Sequence, residues 1–292
     1  MPRVETWQDR HVIVTGGSSG IGRAFVRQVV QRGARVSVLA LANPELDETV
    51  AELGVAGATC RAVGLDVTDR AAVGAGVAQA TGELGPCDVL LTCAGVAHPG
   101  YFERLDDEVF RWTMEVDYFG TLYAARAVVP SMIERRRGSV VGISSTAGLI
   151  GVFGYSAYSP PKFAVRGLLE VLRTELRPLG IHVGCVCPPD TDTPQLAYEN
   201  RYKPLETFAI SGAIKPFTAE RVAASIVEGM EHGRFLITPD WQTKVVARTS
   251  GLLRGPWFSY FDSRVRAARR KTAGGQPAGG QPAGGQTTRL PR

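Results

Sequence analysis

Tyr158 and Lys162 stand four residues apart in the stretch 142–177, GISSTAGLIGVFGYSAYSPPKFAVRGLLEVLRTELR. On a helix that spacing puts both side chains on one face. An ammonium close to a phenol favours the phenolate and lowers the tyrosine pKa, which is how a tyrosine becomes a usable acid and base near neutral pH. Ser145 lies thirteen residues before Tyr158, at the end of the strand-like run 138–145. Strand ends are where open α/β sheets place their ligands. A solvated pair on any helix surface shows the same spacing, so the surrounding elements must decide.

Those elements begin with an apolar run over 11–15, read as a strand. It enters Gly16-Gly17-Ser18-Ser19-Gly20-Ile21-Gly22, which runs into a helical pattern over 24–32. In the order strand, glycine-rich turn, helix, glycines let the backbone approach a pyrophosphate, and the helix start offers free N–H groups. A second strand over 33–40 ends without the acid that usually binds a ribose 2′-hydroxyl, since 39–42 holds none. A 2′-phosphate is therefore not repelled, which favours NADPH. No arginine stands there to bind one; Arg23 is a candidate substitute, or a solvated helix residue.

A helix over 43–54 and a strand over 58–65 lead to Asp66, placed to accept the adenine amino group or to cap the next helix. Thr68 and Asp69 suit the cap better. After a helix over 71–84 and a strand over 87–91, the small residues Ala94 and Gly95 let a flat cofactor lie against the backbone. Two helices over 105–116 and 120–137 follow, with Asp117 near their junction. Arg135, Arg136 and Arg137 suit the negative end of the second helix dipole. The helix carrying Tyr158 and Lys162 offers Leu168, Leu169, Leu172 and Leu176 to the sheet or to a partner subunit. A sixth strand over 181–187 ends in a polar loop, Pro188 to Thr193, able to hydrogen-bond an amide. A helix over 218–231 and a strand over 235–238 complete the pattern. The alternation predicts an α/β fold of Rossmann type: a doubly wound, parallel, seven-stranded sheet in one domain, residues 1–240. The insertion 194–217 would hang over the carboxyl edge as a lid.

The chain has 292 residues, 44% hydrophobic and 21% charged, which suits one globular domain. It contains no apolar run of 18 residues and its start, MPRVETWQDR, is polar, so neither a transmembrane helix nor a signal peptide is expected. Five cysteines without CxxC spacing point to reduced thiols and a cytoplasmic location, with Cys185 and Cys187 placed on opposite faces of a strand. No metal site is expected. The net charge of +5 is uneven: residues 241–292 hold ten Lys and Arg against one acid, Asp262. Such a basic end suggests an anionic surface as partner rather than nucleic acid, or a solvated tail. Within the segment 241–271, Leu252, Leu253, Trp257, Phe258, Tyr260 and Phe261 alternate with arginines. They would lie in a membrane interface or pack on the domain itself, and Gly255-Pro256 argues against one unbroken helix. The AGGQP repeats within 272–292 are expected to be disordered.

TGGSSGIG, TCAG after the fourth strand, Ser145 and Tyr158-x-x-x-Lys162 together resemble the short-chain dehydrogenase/reductase family over residues 8 to 240. Residues 188–211, Ser159, residues 162–167 and residues 261–266 resemble a narrower group, the 3-ketodihydrosphingosine reductases. The resemblance implies NADPH-dependent reduction of 3-ketosphinganine to sphinganine. It implies that Tyr158 donates a proton to the carbonyl oxygen, Ser145 steadies that oxygen, and Lys162 lowers the Tyr158 pKa and binds the nicotinamide ribose. Gly16, Ser18, Ser19, Gly20, Ile21 and Gly22 would line the pyrophosphate and its ribose, Asp66 would meet adenine, and Ala94 and Gly95 would flank the cofactor. Pro188, Thr191 and Thr193 would hold the nicotinamide end.

Three positions depart from the family pattern. Asp117 stands where an asparagine normally completes the catalytic set, and its charge would compete for Lys162. Pro160 and Pro161 separate Tyr158 from Lys162, which predicts a helix that begins close to Tyr158 or bends there. Leu41 stands where an arginine often meets the 2′-phosphate. The family also implies a homo-oligomer, dimer or tetramer. A long-chain sphingoid ketone as substrate implies peripheral contact with the inner face of a membrane, which residues 244–270 would provide. Reduction of another bulky ketone, such as a steroid or 3-oxoacyl chain, and a non-catalytic dinucleotide sensor remain the alternatives.

Overall fold

Short runs of valine, isoleucine and leucine closed by glycine turns become the strands of one sheet. The computed structural model describes residues 2–55, 57–211, 215–251 and 253–273. Strands β1 (His11–Thr15), β2 (Arg35–Ala40), β3 (Cys60–Gly64) and β4 (Val89–Thr92) alternate with helices α1 (Gly20–Val30), α2 (Pro44–Val55) and α3 (Arg70–Leu84). Helices α4 (Asp107–Thr113) and α5 (Gly120–Glu134) precede β5 (Gly138–Ile143), and α6 (Ser159–Leu176) precedes β6 (Ile181–Val186). A two-residue strand β7 (Thr191–Asp192) leads into the insertion, whose short helices α7 (Pro194–Glu199) and α8 (Leu205–Ser211) are followed by β8 (Phe217–Thr218). Then come α9 (Ala219–Glu231), β9 (Leu236–Ile237), α10 (Trp241–Thr249) and α11 (Arg254–Ala273).

The main sheet has seven strands, all parallel, in the order β3-β2-β1-β4-β5-β6-β9. Successive side chains of a strand face opposite ways, and each face buries its own core. Val12, Val14, Val36 and Val38 pack with Phe25 and Val26 of α1 and Ile226 and Met230 of α9. Ile13, Leu39, Leu90 and Val140 pack with Val73 of α3, Val128 and Met132 of α5, and Leu169 of α6. This is the doubly wound arrangement the sequence predicts. The order reverses between β1 and β4, so the crevice for a ligand opens at their carboxyl ends.

Several local expectations change. The two helices around Asp117 form one run, joined by a π-helical turn over Met114–Phe119. The extra residue in that turn aims Asp117 into the molecule, where it is buried. Such turns recur at functional sites. Cys185 and Cys187 do not face opposite ways: residues two apart return to the same face, and their sulfurs lie 4.0 Å apart as free thiols. Arg135 and Arg137 both bond Asp88 at the start of β4, at 3.0 and 2.8 Å. The basic segment forms two helices, one ending at Thr249 and the next beginning at Arg254, and Gly255-Pro256 sit in the first turn of the second, where proline is tolerated. Helix α11 continues through Ala273, two residues into the stretch expected to be disordered; Leu252 and the repeats over 274–292 lie outside the described residues.

Candidate active site

The glycine turn after β1 is built for close approach. Gly16 has φ of +67°, and a Cβ there would stand 2.6 Å from the Ala94 backbone. A Cβ on Gly22 would overlap the Gly16 carbonyl oxygen. Ser19 begins α1 in an extended conformation and makes no side-chain cap, so the first N–H groups of the helix face the crevice without an internal acceptor. Bare helix-start donors beside Ser18, Ser19, Gly20 and Ile21 fit a pyrophosphate.

At the opposite wall, Ser145 closes β5 and starts a short turn, its hydroxyl accepting the Ala147 N–H at 3.1 Å. Tyr158 is the N-cap of α6. Ser159, Pro160 and Pro161 fill the first turn, where backbone N–H groups have no helical partner and proline removes nothing. The two prolines are therefore accommodated where the helix begins, directly after Tyr158. Lys162 follows one turn in, its Nζ 5.4 Å from the centre of the Tyr158 ring. That Nζ donates to the Ile143 carbonyl at 3.2 Å and lies 3.6 Å from Asp117 Oδ1. Asp117 Oδ1 also accepts the Val96 N–H at 2.9 Å, while the buried Oδ2 has no protein partner. Gly95 makes room: a Cβ there would stand 2.9 Å from Asp117 Oδ1 and 3.2 Å from Lys162 Nζ.

The electrostatics differ from the simple pairing read in the sequence. Burial raises the Tyr158 pKa well above the usual phenol value; the Glu199 and Asp117 carboxylates raise it further, and the Ser145 hydroxyl pulls it down. The expected lowering by Lys162 does not prevail, because that ammonium is held by Asp117 and Ile143. Asp117 is itself pushed up to about 6 by burial, against the pull of Lys162. Tyr158 is thus held as the neutral phenol, the form that can give a proton to a carbonyl.

One cavity of about 1300 Å³ joins these parts. It is lined by Gly16, Ser18, Ser19, Gly20 and Ile21 at one end, with Leu41 and Asp66 beside them. Ala94, Gly95, Ser145, Tyr158 and Lys162 line its middle, and Pro188, Thr191 and Thr193 its roof. Gly22 and Asp117 stand behind this lining. Asp66 accepts the Thr68 N–H at 2.9 Å, and Asp69 caps α3 through the Ala71 and Ala72 N–H groups. Arg23 is not brought to the cavity: it pairs with Glu52 at 2.6 Å, and together with Arg27 it holds that carboxyl down at about 2. Sequence reasoning missed Tyr155, three residues before Tyr158 in the turn leading into α6, and Glu199 of the insertion, which also line the cavity. It also left open where the C-terminal aromatics go: Val246, Trp257, Tyr260 and Phe261 form the far wall.

A nucleotide-sized crevice at the switch point of a doubly wound sheet, with a serine, a tyrosine and a lysine at its middle, defines a dinucleotide-dependent oxidoreductase. Residues 10–203 match the family described as short chain dehydrogenase, and the chain belongs to that family. It is 42% identical over 271 residues to a 3-ketodihydrosphingosine reductase of Dictyostelium discoideum, covering 87% of this chain and 81% of that one. It is 42% identical over 230 residues to a 3-dehydrosphinganine reductase of Danio rerio, covering 77% and 69%. Among solved structures, a short-chain dehydrogenase/reductase of Burkholderia phymatum in complex with NAD superposes with a TM-score of 0.75 at 24% identity, covering 84% of this chain and 94% of that one. Levodione reductase superposes with a TM-score of 0.72 at 22% identity, covering 81% and 98%. These two share the fold. Among the described residues no helix is long and apolar enough to cross a membrane.

Proposed function

We propose that this chain reduces 3-ketosphinganine to sphinganine with NADPH. One observation carries the reading: a single cavity holds a pyrophosphate cradle, a serine–tyrosine–lysine set and a deep apolar wall, in a chain whose relatives bear the reductase names given above. A nicotinamide dinucleotide, when bound, supplies the hydride. The helix-start N–H groups around Ser18 to Gly22 would hold its pyrophosphate, Asp66 its adenine, and Thr191 and Thr193 its amide. Ala40 to Ala42 offer no acid to repel a 2′-phosphate, which supports NADPH, while Leu41 gives it no cation.

Tyr158 gives its proton to the ketone oxygen as charge builds there, and Ser145 donates a hydrogen bond to the same oxygen. Lys162 holds positive charge beside the phenol and steadies the phenolate left behind. Asp117 anchors Lys162 and, through its free Oδ2, accepts from a water or from the lysine during proton return. The long alkyl chain lies against Val246, Trp257 and Phe261, where burial is favoured by about 25 cal/mol for each Å². Exposed Trp241, Leu253 and Phe258 among arginines support contact with an anionic membrane from the cytoplasmic side. Exposed Phe163 and Val171 on α6 support a homo-oligomer.

A panel of 3-ketosphinganine, a steroid ketone and a 3-oxoacyl ester, each with NADPH and NADH, tests the reading. The expected result is a kcat/KM for 3-ketosphinganine with NADPH at least tenfold above the others. A clear preference for the steroid or the 3-oxoacyl ester overturns it. Cofactor binding without turnover of any ketone would favour a sensor.

A further inference from the structure

Glu199 ends α7 and is buried at 7% exposure. Its carboxylate accepts the Tyr155 hydroxyl at 2.6 Å and the Gln195 amide at 2.9 Å. Among the described residues no lysine or arginine forms an ion pair with it. Lys203, four residues on, is spent on Asp190 at 3.1 Å. A carboxylate taken out of water is costly unless a cation repays it. Glu199 also faces the catalytic cavity, together with Tyr155, Tyr158 and Ser145. Lys203 attracts Glu199 only from beyond ion-pair distance; the Tyr155 and Tyr158 rings are 5.6 Å apart, so this carboxyl without an ion pair stands one side chain away from the hydroxyl that meets the ketone.

We infer that Glu199 is the counter-ion for a protonated amine carried next to the substrate ketone, and so selects 2-amino ketones over neutral ketones of equal length. This rests on the function proposed above and names the group that reads the substrate's head. Burial raises the Glu199 pKa, and Glu199 in turn raises that of Tyr158. An ammonium placed between them opposes both effects. It keeps Glu199 ionised and removes the repulsion that resists the phenolate. A neutral ketone supplies neither relief. Selection then comes from pairing a buried group that a wrong substrate leaves unpaired.

The test compares 3-ketosphinganine with the same 18-carbon 1-hydroxy-3-ketone lacking the amine, using NADPH and the full chain. The wild type is expected to favour the amine by at least tenfold in kcat/KM, with the difference mainly in KM. Glu199→Gln is expected to bring the ratio close to one, and Glu199→Asp to keep part of it. An inhibitor pair needs no variant: octadecylamine should inhibit the wild type at least tenfold more tightly than octadecanol. Equal use of both ketones, equal inhibition by the two lipids, or an equal loss on both ketones in Glu199→Gln overturns the assignment alone. Turnover of neither ketone by the wild type overturns the substrate reading, and this assignment with it.

Discussion

Replacing Asp117 by asparagine separates two consequences of one buried charge. In the folded chain this carboxyl has a pKa of about 6 instead of 3.8, raised by burial against the pull of Lys162. The native state therefore binds the proton more tightly than the unfolded chain does, and between those values stability falls as pH rises. Integrated over the whole window the loss is about 3 kcal/mol at alkaline pH. Between about pH 5 and about pH 8 the part still to be lost is about 1.4 kcal/mol. Asparagine has no such proton. The ion pair with Lys162 at 3.6 Å exists only where Asp117 is ionised, so its energy is already contained in the Asp117 shift and adds no separate pH dependence. Urea unfolding of both proteins without cofactor, in steps of pH, should show the variant gaining on the wild type by about 1.4 kcal/mol from about pH 5 to about pH 8. A difference independent of pH, or one that shrinks as pH rises, would refute the burial argument.

Leu41→Arg places a cation on the cavity wall where a 2′-phosphate would lie; at about 1.5–3 kcal/mol for a charge-assisted bond, the preference for NADPH over NADH should rise at least tenfold in paired kinetic runs, and no rise would place that phosphate elsewhere. Exchanging the exposed Arg248, Arg266 and Arg270 for glutamine in the full chain should weaken co-sedimentation with vesicles containing anionic lipid about a hundredfold, at about 1 kcal/mol for each cation; equal and salt-insensitive binding by both proteins would remove the membrane proposal.

The sheet was legible because its strands are unbroken apolar runs, buried on both faces, with helices and glycine turns between them. The start of α6 at Ser159 was legible too, since Pro160 and Pro161 are acceptable only in a first turn. Asp117 could be located by its place in the family pattern but not aimed, because a π-helical turn leaves no periodic signal over six residues. The pKa of Tyr158 could not be read from its spacing to Lys162. It depends on burial and on Glu199, which lies 41 residues away in sequence and reaches the cavity only through the fold of the insertion. Trp257, Tyr260 and Phe261 carried a strong apolar signal with two destinations, and only tertiary packing chose the cavity wall.

The buried Tyr158 phenol is proposed to give its proton to the ketone of 3-ketosphinganine. Tyr158→Phe removes one oxygen and leaves the ring in its packing beside Tyr155. Turnover of 3-ketosphinganine, followed by sphinganine formation, should fall about 10²–10⁴-fold, while NADPH affinity, read from cofactor fluorescence, stays within about threefold of the wild type. Turnover within a few-fold of the wild type would contradict the role of Tyr158 as proton donor.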